Sequence, residues 1–265
     1  MATTTHRPKP NSGPAPKARI PHLPSTLLAI REHLGWSRAK AYSRHGVSGS
    51  YLSQIEDGTR TPSLDLLQQM ISGYNLTCSQ SQYLHDLRAP SRHLSPTPDL
   101  RQFIARTSQL VRHLDDLDQR SVPAAYVNPL KQILATNHTW RRTLPGMYEI
   151  GCIPEWLFSP AGQATVLDWH NEARYSVASI RPGLARYRDT EQAHTVLATL
   201  ANNPAFNEIW HASVDVIYGR DTSSPLQCHH PDSGERYSLT LSLSLVTQTQ
   251  EVLLVTAVPR AFEPA

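Results

Sequence analysis

Leu34-Gly35-Trp36-Ser37-Arg38-Ala39-Lys40-Ala41-Tyr42-Ser43-Arg44-His45-Gly46-Val47-Ser48-Gly49-Ser50-Tyr51-Leu52-Ser53-Gln54-Ile55-Glu56-Asp57-Gly58 decides how the chain is read. Ser37 and Ser48 each stand where a hydroxyl can cap the orphan amides of a helix start. Gly46 supplies the permissive backbone of a sharp turn, and Val47 is an apolar plug behind it. Leu52 and Ile55, three residues apart, form the buried stripe of a second helix that Gly58 stops. Gly49, Ser50, Tyr51 and Gln54 remain on or near the outward side. The spacing predicts a helix-turn-helix, whose second helix enters the DNA major groove.

Outward from this stretch the chain stays helical. Pro24 and Ser25 open a helix carrying Leu27, Ile30, Arg31 and Leu34, which ends at Gly35. Thr59 to Pro62 form a loop, and Ser63 starts a helix with Leu64, Leu67 and Ile71 on one face. Cys78 to Arg88 form a fifth helix, with Tyr83, Leu84 and Leu87 inward. Residues 1–24 hold six prolines and four basic residues with no acid. Such a segment buries too little apolar surface to order itself, so a disordered basic tail is expected, either frayed or an arm gripping DNA.

Charge supports a polyanion partner for this region. The 265-residue chain has 25 Lys+Arg and 22 Asp+Glu, a net of +3. Residues 1–90 hold 10 basic and 5 acidic residues, the remainder 15 and 17. The excess of positive charge therefore sits on the first third. The three cysteines are odd in number and unpaired in spacing, which argues for a reducing compartment. No apolar run approaches the ~18 residues of a membrane helix, and no signal-peptide core is present. A cytoplasmic protein without membrane attachment is expected.

Pro and Ser enrich residues 90–98, which read as a linker. Residues 99–120 read as one connecting helix with Leu100, Phe103, Ile104, Leu110, Val111, Leu114 and Leu117 on a broad face. That face either packs on the next domain or forms a dimer seam. Beyond it, residues 123–127 and 132–136 read as strands, and residues 154–212 as helices, one interrupted at Pro182-Gly183. Asp232-Ser233-Gly234 reads as a turn between strands Leu226–His229 and Tyr237–Leu245, the latter alternating apolar and polar. Glu251–Val258 reads as a central strand, closing one sheet with the first.

Gly46-Val47-Ser48-x-x-Tyr51-Leu52-Ser53-Gln54-Ile55-Glu56-x-Gly58-x-x-x-Pro62-Ser63 resembles the XRE (Cro/repressor-type) helix-turn-helix family nearly position by position. Family members usually carry Gln where Arg38 stands, and Leu-Ala where Ala41-Tyr42 stand. Tyr42 is therefore expected to crowd the close approach of the two helices. Val122-Pro123-Ala124-Ala125-Tyr126-Val127, Trp156-Leu157-Phe158-Ser159-Pro160-Ala161, Leu167-Asp168-Trp169 and Asn203-Pro204-Ala205-Phe206-Asn207-Glu208-Ile209-Trp210 resemble the PAS-like C-terminal domain of MmyB-like regulators of actinobacteria. The resemblance implies a two-domain α+β protein: a five-helix, all-α helix-turn-helix domain over residues 25–89, and a PAS-like domain over residues 121–260. The latter is expected to have an antiparallel sheet with inserted helices. It implies a small apolar ligand, fatty acids among them, and no other cofactor.

In the reading helix, Ser48, Gly49, Ser50 and Gln54 are the candidates for base contacts, Gln54 matching both edges of adenine. Arg38, Lys40, Arg44, Tyr51 and Arg60 are placed for phosphates, which fix register without reading sequence. In the second domain, Trp156, Trp169, Arg174 and Trp210 could line a ligand pocket or simply form core. Arg174 or Arg181 would pair a carboxylate head group. Cys228-His229-His230 invites a metal or nucleophile reading, but neighbours on a strand point to opposite faces and no second ligand pair follows. No catalytic motif stands out. The expected partners are a double-stranded DNA operator and a second copy of the chain, with RNA polymerase as a further contact. The competing readings are a DNA-bound interaction platform without a ligand, and a DNA-tethered enzyme using Cys228 and His229.

Overall fold

The computed structural model describes residues 15–230 and 233–262. Arg7 and Lys9 of the expected arm, and Asp232 of the expected turn, lie outside the described residues. Helices α1 (Leu23–His33), α2 (Arg38–His45), α3 (Gly49–Glu56), α4 (Leu64–Tyr74) and α5 (Cys78–Arg88) form the N-terminal domain. Ser37 accepts the amide of Lys40, Ser48 that of Tyr51, and Ser63 that of Leu66. Thr77 and Gln80 cap α5 reciprocally. Gly46 adopts φ +70° at the turn between α2 and α3. Leu27, Ala41, Leu52, Ile55, Leu67, Met70 and Leu84 are buried together in the core. Ala41, rather than Tyr42, occupies the close approach. Tyr42 is 54% exposed, so the expected crowding does not arise.

The expected single connecting helix is two, α6 (Thr97–Arg106) and α7 (Ser108–Gln119). Thr107 between them is extended, and its hydroxyl donates to the carbonyl of Phe103, a local bond that competes with helix continuation. Leu100, Ile104, Leu110 and Leu114 are buried in the second domain's core, so that apolar face is occupied within the chain. The Pro/Ser-rich segment before α6 is also held down. Ser95 donates through its amide and hydroxyl to Glu251, and Leu94 is buried.

Strands β1 (Ala124–Val127) and β2 (Ile133–Thr136) form a hairpin. Helices α8 (His138–Thr143), α9 (Met147–Ile150), α10 (Ile153–Leu157), α11 (Pro160–Thr165), α12 (Trp169–Arg186), α13 (Glu191–Leu200) and α14 (Pro204–Ala212) follow. Strands β3 (Leu226–His229), β4 (Arg236–Leu245) and β5 (Leu253–Arg260) complete an antiparallel sheet in the order β2-β1-β5-β4-β3. The first and last strands pair at its centre, as the sequence predicts.

Pro182 does not interrupt α12 as expected. Pro182 has no N–H for the carbonyl of Ala178 four residues back. That carbonyl accepts the amide of Ile217 instead, at 3.1 Å, so the helix continues to Arg186 with the freed acceptor satisfied. The next residue, Gly183, lets α12 approach the β1–β2 turn: a Cβ there would lie 2.6 Å from the carbonyl oxygen of Pro129.

The predicted disordered tail also differs. Residues 15–22 run across both domains as an extended strap. Ala18 donates its amide to the Asn207 carboxamide at 2.9 Å, Lys17 donates to Asn202 at 2.9 Å, and His211 Nε2 donates to the carbonyl of Pro16 at 2.9 Å. Ala18 is buried in the core of the second domain and Leu23 in that of the first. Composition concealed this because the few apolar residues of the segment find their partners ~190 residues away in sequence.

Candidate functional site

The first part of the site is α3. Leu52 and Ile55 face the core, which turns Ser48, Ser50 and Gln54 outward; all three are exposed, and Gly49 is half-buried. Lys40, Arg44 and Arg60 are exposed around them, while Tyr51 is half-buried against the domain core. The amide of Arg60 donates to the carbonyl of Gln54, which fixes the loop after α3 to the helix end.

Arg38 is shared. Its Nε lies 3.0 Å from Glu56 Oε2, although its side chain is still 46% exposed. Glu56 is buried and also receives both Nε and Nη2 of the buried Arg31. The bond to Glu56 holds the Arg31 guanidinium above its ordinary range. This ion cluster neutralises the buried carboxylate at the end of α3. The motif spacing gave no sign of this use of Arg31 and Arg38.

The second part is a cavity of about 240 Å³ in the C-terminal domain. Its walls are the sheet face, with Leu226, Leu241 and Val255, the short helices α8–α10, with Trp140 and Trp156, and α12. The alternating leucines of β4 explain one side of it. Leu239 is fully buried, but Leu243 is 40% and Leu245 63% exposed, so the apolar face of the strand leaves the packed core and becomes cavity wall and mouth. The size lies just under the roughly 300–1,000 Å³ of pockets for drug-sized ligands.

Of the sequence-predicted pocket residues, Trp156 lines this cavity, with its indole N–H bonded to the carbonyl of Pro145 at 2.8 Å. The other three do not. Trp169 packs edge-on against Phe158 and donates to the carbonyl of Leu157. Trp210 stacks on Phe206 near the strap. Arg174 is exposed and faces a groove beside Thr77 and Gln80. Arg181, the alternative head-group partner, donates to the carbonyls of Trp210 and Ser213 and lies over the Trp210 ring. Helical periodicity marks which side chains face inward, but not which inward faces leave space between them.

Sequence reading also missed Lys131, Glu172, Arg186, Tyr218 and Arg220 in the cavity wall. Arg220 and Glu172 form a two-bond ion pair at 2.6 and 2.8 Å. Arg186 Nη2 and the Tyr218 hydroxyl both donate to Asp86 Oδ2, each at 2.8 Å. Asp86 belongs to α5, so the cavity wall is bonded directly to the helix-turn-helix domain. Burial, and then the neighbouring Asp86 carboxylate, push the Tyr218 hydroxyl well up.

Cys228 is buried beside the Tyr237 hydroxyl, and burial pushes its thiol up to about 12. A thiol so disposed stays protonated at neutral pH and is a poor nucleophile. No group of three or more metal-ligating side chains occurs among the described residues. Nor is any helix among the described residues long and apolar enough to cross a membrane.

An α-helical domain presenting a polar second helix, joined to a sheet domain with an apolar cavity, defines a two-domain DNA-binding transcription regulator. Comparison with known families agrees. The family described as MmyB-like transcription regulator ligand binding domain matches residues 107–263, and a helix-turn-helix domain matches residues 25–82. The chain belongs to the MmyB-like transcription regulators. No match was found among curated proteins.

Proposed function

We propose that this regulator reads a specific double-stranded operator in the cytoplasm as a homodimer, and that a small apolar ligand in the 240 Å³ cavity sets its DNA affinity. The observation that carries the reading is the joint role of Arg186 and Tyr218. Both line the cavity and both hold Asp86 of the reading domain, so a ligand that moves α12 or residue 218 shifts α5 as well. The resemblance to PAS-like domains and their fatty-acid-like ligands is supported by the apolar walls and by a sheet closed by its first and last strands. Base contacts fall to Ser48, Gly49, Ser50 and Gln54, and phosphate contacts to Lys40, Arg44, Tyr51, Arg60 and the exposed part of Arg38. Gln54 is the one long polar side chain among the base readers, so one head discriminates weakly and two heads on paired half-sites are needed.

The test is a duplex selected from a random library by the full chain, then titrated by fluorescence anisotropy with and without sodium decanoate. A ligand-dependent change in Kd of fivefold or more is expected. Equal affinities, together with no decanoate in a native mass spectrum, would favour a DNA-bound platform over a sensor.

A further inference from the structure

Three arginines without a carboxylate partner meet where the strap, the reading domain and the ligand domain come together. A surface cavity of about 230 Å³ there is lined by His22 at the end of the strap, by Arg60 and Arg88 of the reading domain, and by Arg188 of the ligand domain. Its floor is apolar, with Ile55 and Leu87 buried beneath it. Among the described residues no Asp or Glu lines it. Arg31, Arg38, Arg186 and Arg220 each lie against a carboxylate. Arg60, Arg88 and Arg188 make no ion pair among the described residues. Like charges gathered around one concavity focus a positive potential in it.

Neutral carbonyls, not counter-charges, hold these side chains in place. Arg88 Nε donates to the carbonyl of Pro62 at 2.9 Å, which ties the end of α5 to the loop after α3. Arg188 donates through Nη1 to the carbonyls of Ala185, at 2.9 Å, and Asp86, and through Nη2 to that of Ala89. It thereby caps the C-terminal ends of α12 and α5 together. The Arg60 amide is fixed on the carbonyl of Gln54 at 2.9 Å, while its exposed guanidinium makes no hydrogen bond among the described residues. Both Nη atoms of Arg88 and Nε of Arg188 are also unbonded among the described residues, and none of them is a fully buried atom. Donors from all three guanidiniums are thus open to an acceptor arriving from solvent. Two of the three are already positioned, so little freedom is lost when they engage it.

We propose that this cavity at the domain seam binds a phosphate group, with Arg60, Arg88 and Arg188 as its cations. One guanidinium fork satisfies a carboxylate, whereas a phosphate has the oxygens and the charge to serve several. The group has two sources: free phosphate, or the backbone of a duplex seated on α3, since Arg60 follows the reading helix directly. Only the second source rests on the DNA-reading assignment above. With either source the occupant joins Arg60 of one domain to Arg188 of the other. Arg188, a residue of the ligand domain, then belongs to the anion-binding surface of the protein.

The experiment has two arms, both on the full chain. In the first, inorganic phosphate is titrated calorimetrically without DNA, against sodium chloride at equal ionic strength. A free-phosphate site is expected to show saturable binding that Arg60→Gln and Arg188→Gln each weaken about tenfold or more, because each removes a charge-assisted hydrogen bond. In the second, the salt dependence of binding to the selected duplex is compared between wild type, Arg88→Gln and Arg188→Gln. A backbone site is expected to lose about 0.9 from the slope of log K in each variant. Either result supports the site and names its source. Phosphate binding equal in wild type and variants, or no phosphate binding together with unchanged slopes, overturns it. Arg188→Gln also removes a cap from two helix ends, so each variant is first checked by circular dichroism. Should Arg188→Gln fail to fold, Arg60→Gln decides the first arm and Arg88→Gln the second. A wild type that binds no duplex overturns the DNA-reading assignment, and the phosphate titration then decides this proposal alone.

Discussion

Arg186 Nη2 lies 2.8 Å from Asp86 Oδ2, so a side chain of the cavity wall is bonded to the last helix of the DNA-reading domain. The Tyr218 hydroxyl reaches the same oxygen at the same distance. One carboxylate thus gathers two donors from the ligand domain. Hydrogen bonds to charged groups contribute about 1.5–3 kcal/mol each when partly buried.

Asp86→Ala therefore strands both donors and loosens the contact between α5 and α12. Amide exchange in these two helices should rise tenfold or more by mass spectrometry, with little change in the sheet. The response of DNA affinity to decanoate should shrink at the same time.

On the reading helix, Gln54→Ala and Lys40→Ala are expected to separate cleanly. Loss of Gln54 lowers discrimination between the selected duplex and a scrambled one by about 1–3 kcal/mol. Loss of Lys40 weakens both duplexes alike and reduces the salt slope of log K by about 0.9. Arg38→Ala should change the slope less than Lys40→Ala, because its guanidinium is partly neutralised by Glu56.

Glu56→Ala leaves the Arg31 guanidinium buried without its counter-ion. Breaking such a pair costs about 3–5 kcal/mol. The melting temperature of the N-terminal domain should fall by several degrees, and DNA affinity with it, as followed by circular dichroism.

Lys131→Met should stabilise the ligand-free protein at pH 7. Burial lowers the Lys131 ammonium to about 8 from the ordinary 10.5, so at neutral pH the native chain carries a desolvation cost, reduced by the partial exposure of the side chain. That cost fades as pH rises through 8 and is gone above 10.5, where the unfolded chain is also neutral. At 1.36 kcal/mol per unit, the gain at pH 7 is about 1–3 kcal/mol after allowing for solvent in the cavity, and it should vanish near pH 10.5. Thermal melts of the two proteins from pH 6 to 10.5 measure the difference.

Local signals in the sequence were faithful where the structure is local. Ser37, Ser48 and Ser63, read as helix starts, each accept the amide that a cap should take. The β4 alternation and the central place of β5 could be read from period and hydropathy. Apart from the local break at Thr107, what could not be read depends on partners far along the chain. Pro182 reads as a break, because the amide of Ile217, which takes over its lost acceptor, is 35 residues away. Residues 15–22 read as tail because Asn202, Asn207 and His211 are nearly 200 residues distant. The cavity is a space between elements, and only one of its four predicted lining residues, Trp156, faces it.

The strap gives the reading domain a second mooring. Its chain enters from α13–α14 through residues 15–22 and leaves toward α6 through residues 89–96, both stretches bonded to the ligand domain. A body attached at one point can swivel freely; attached at two, it turns only about the line that joins them. The bonds of Asp86 to Arg186 and Tyr218 lie off that line and hold the remaining rotation of the helix-turn-helix domain.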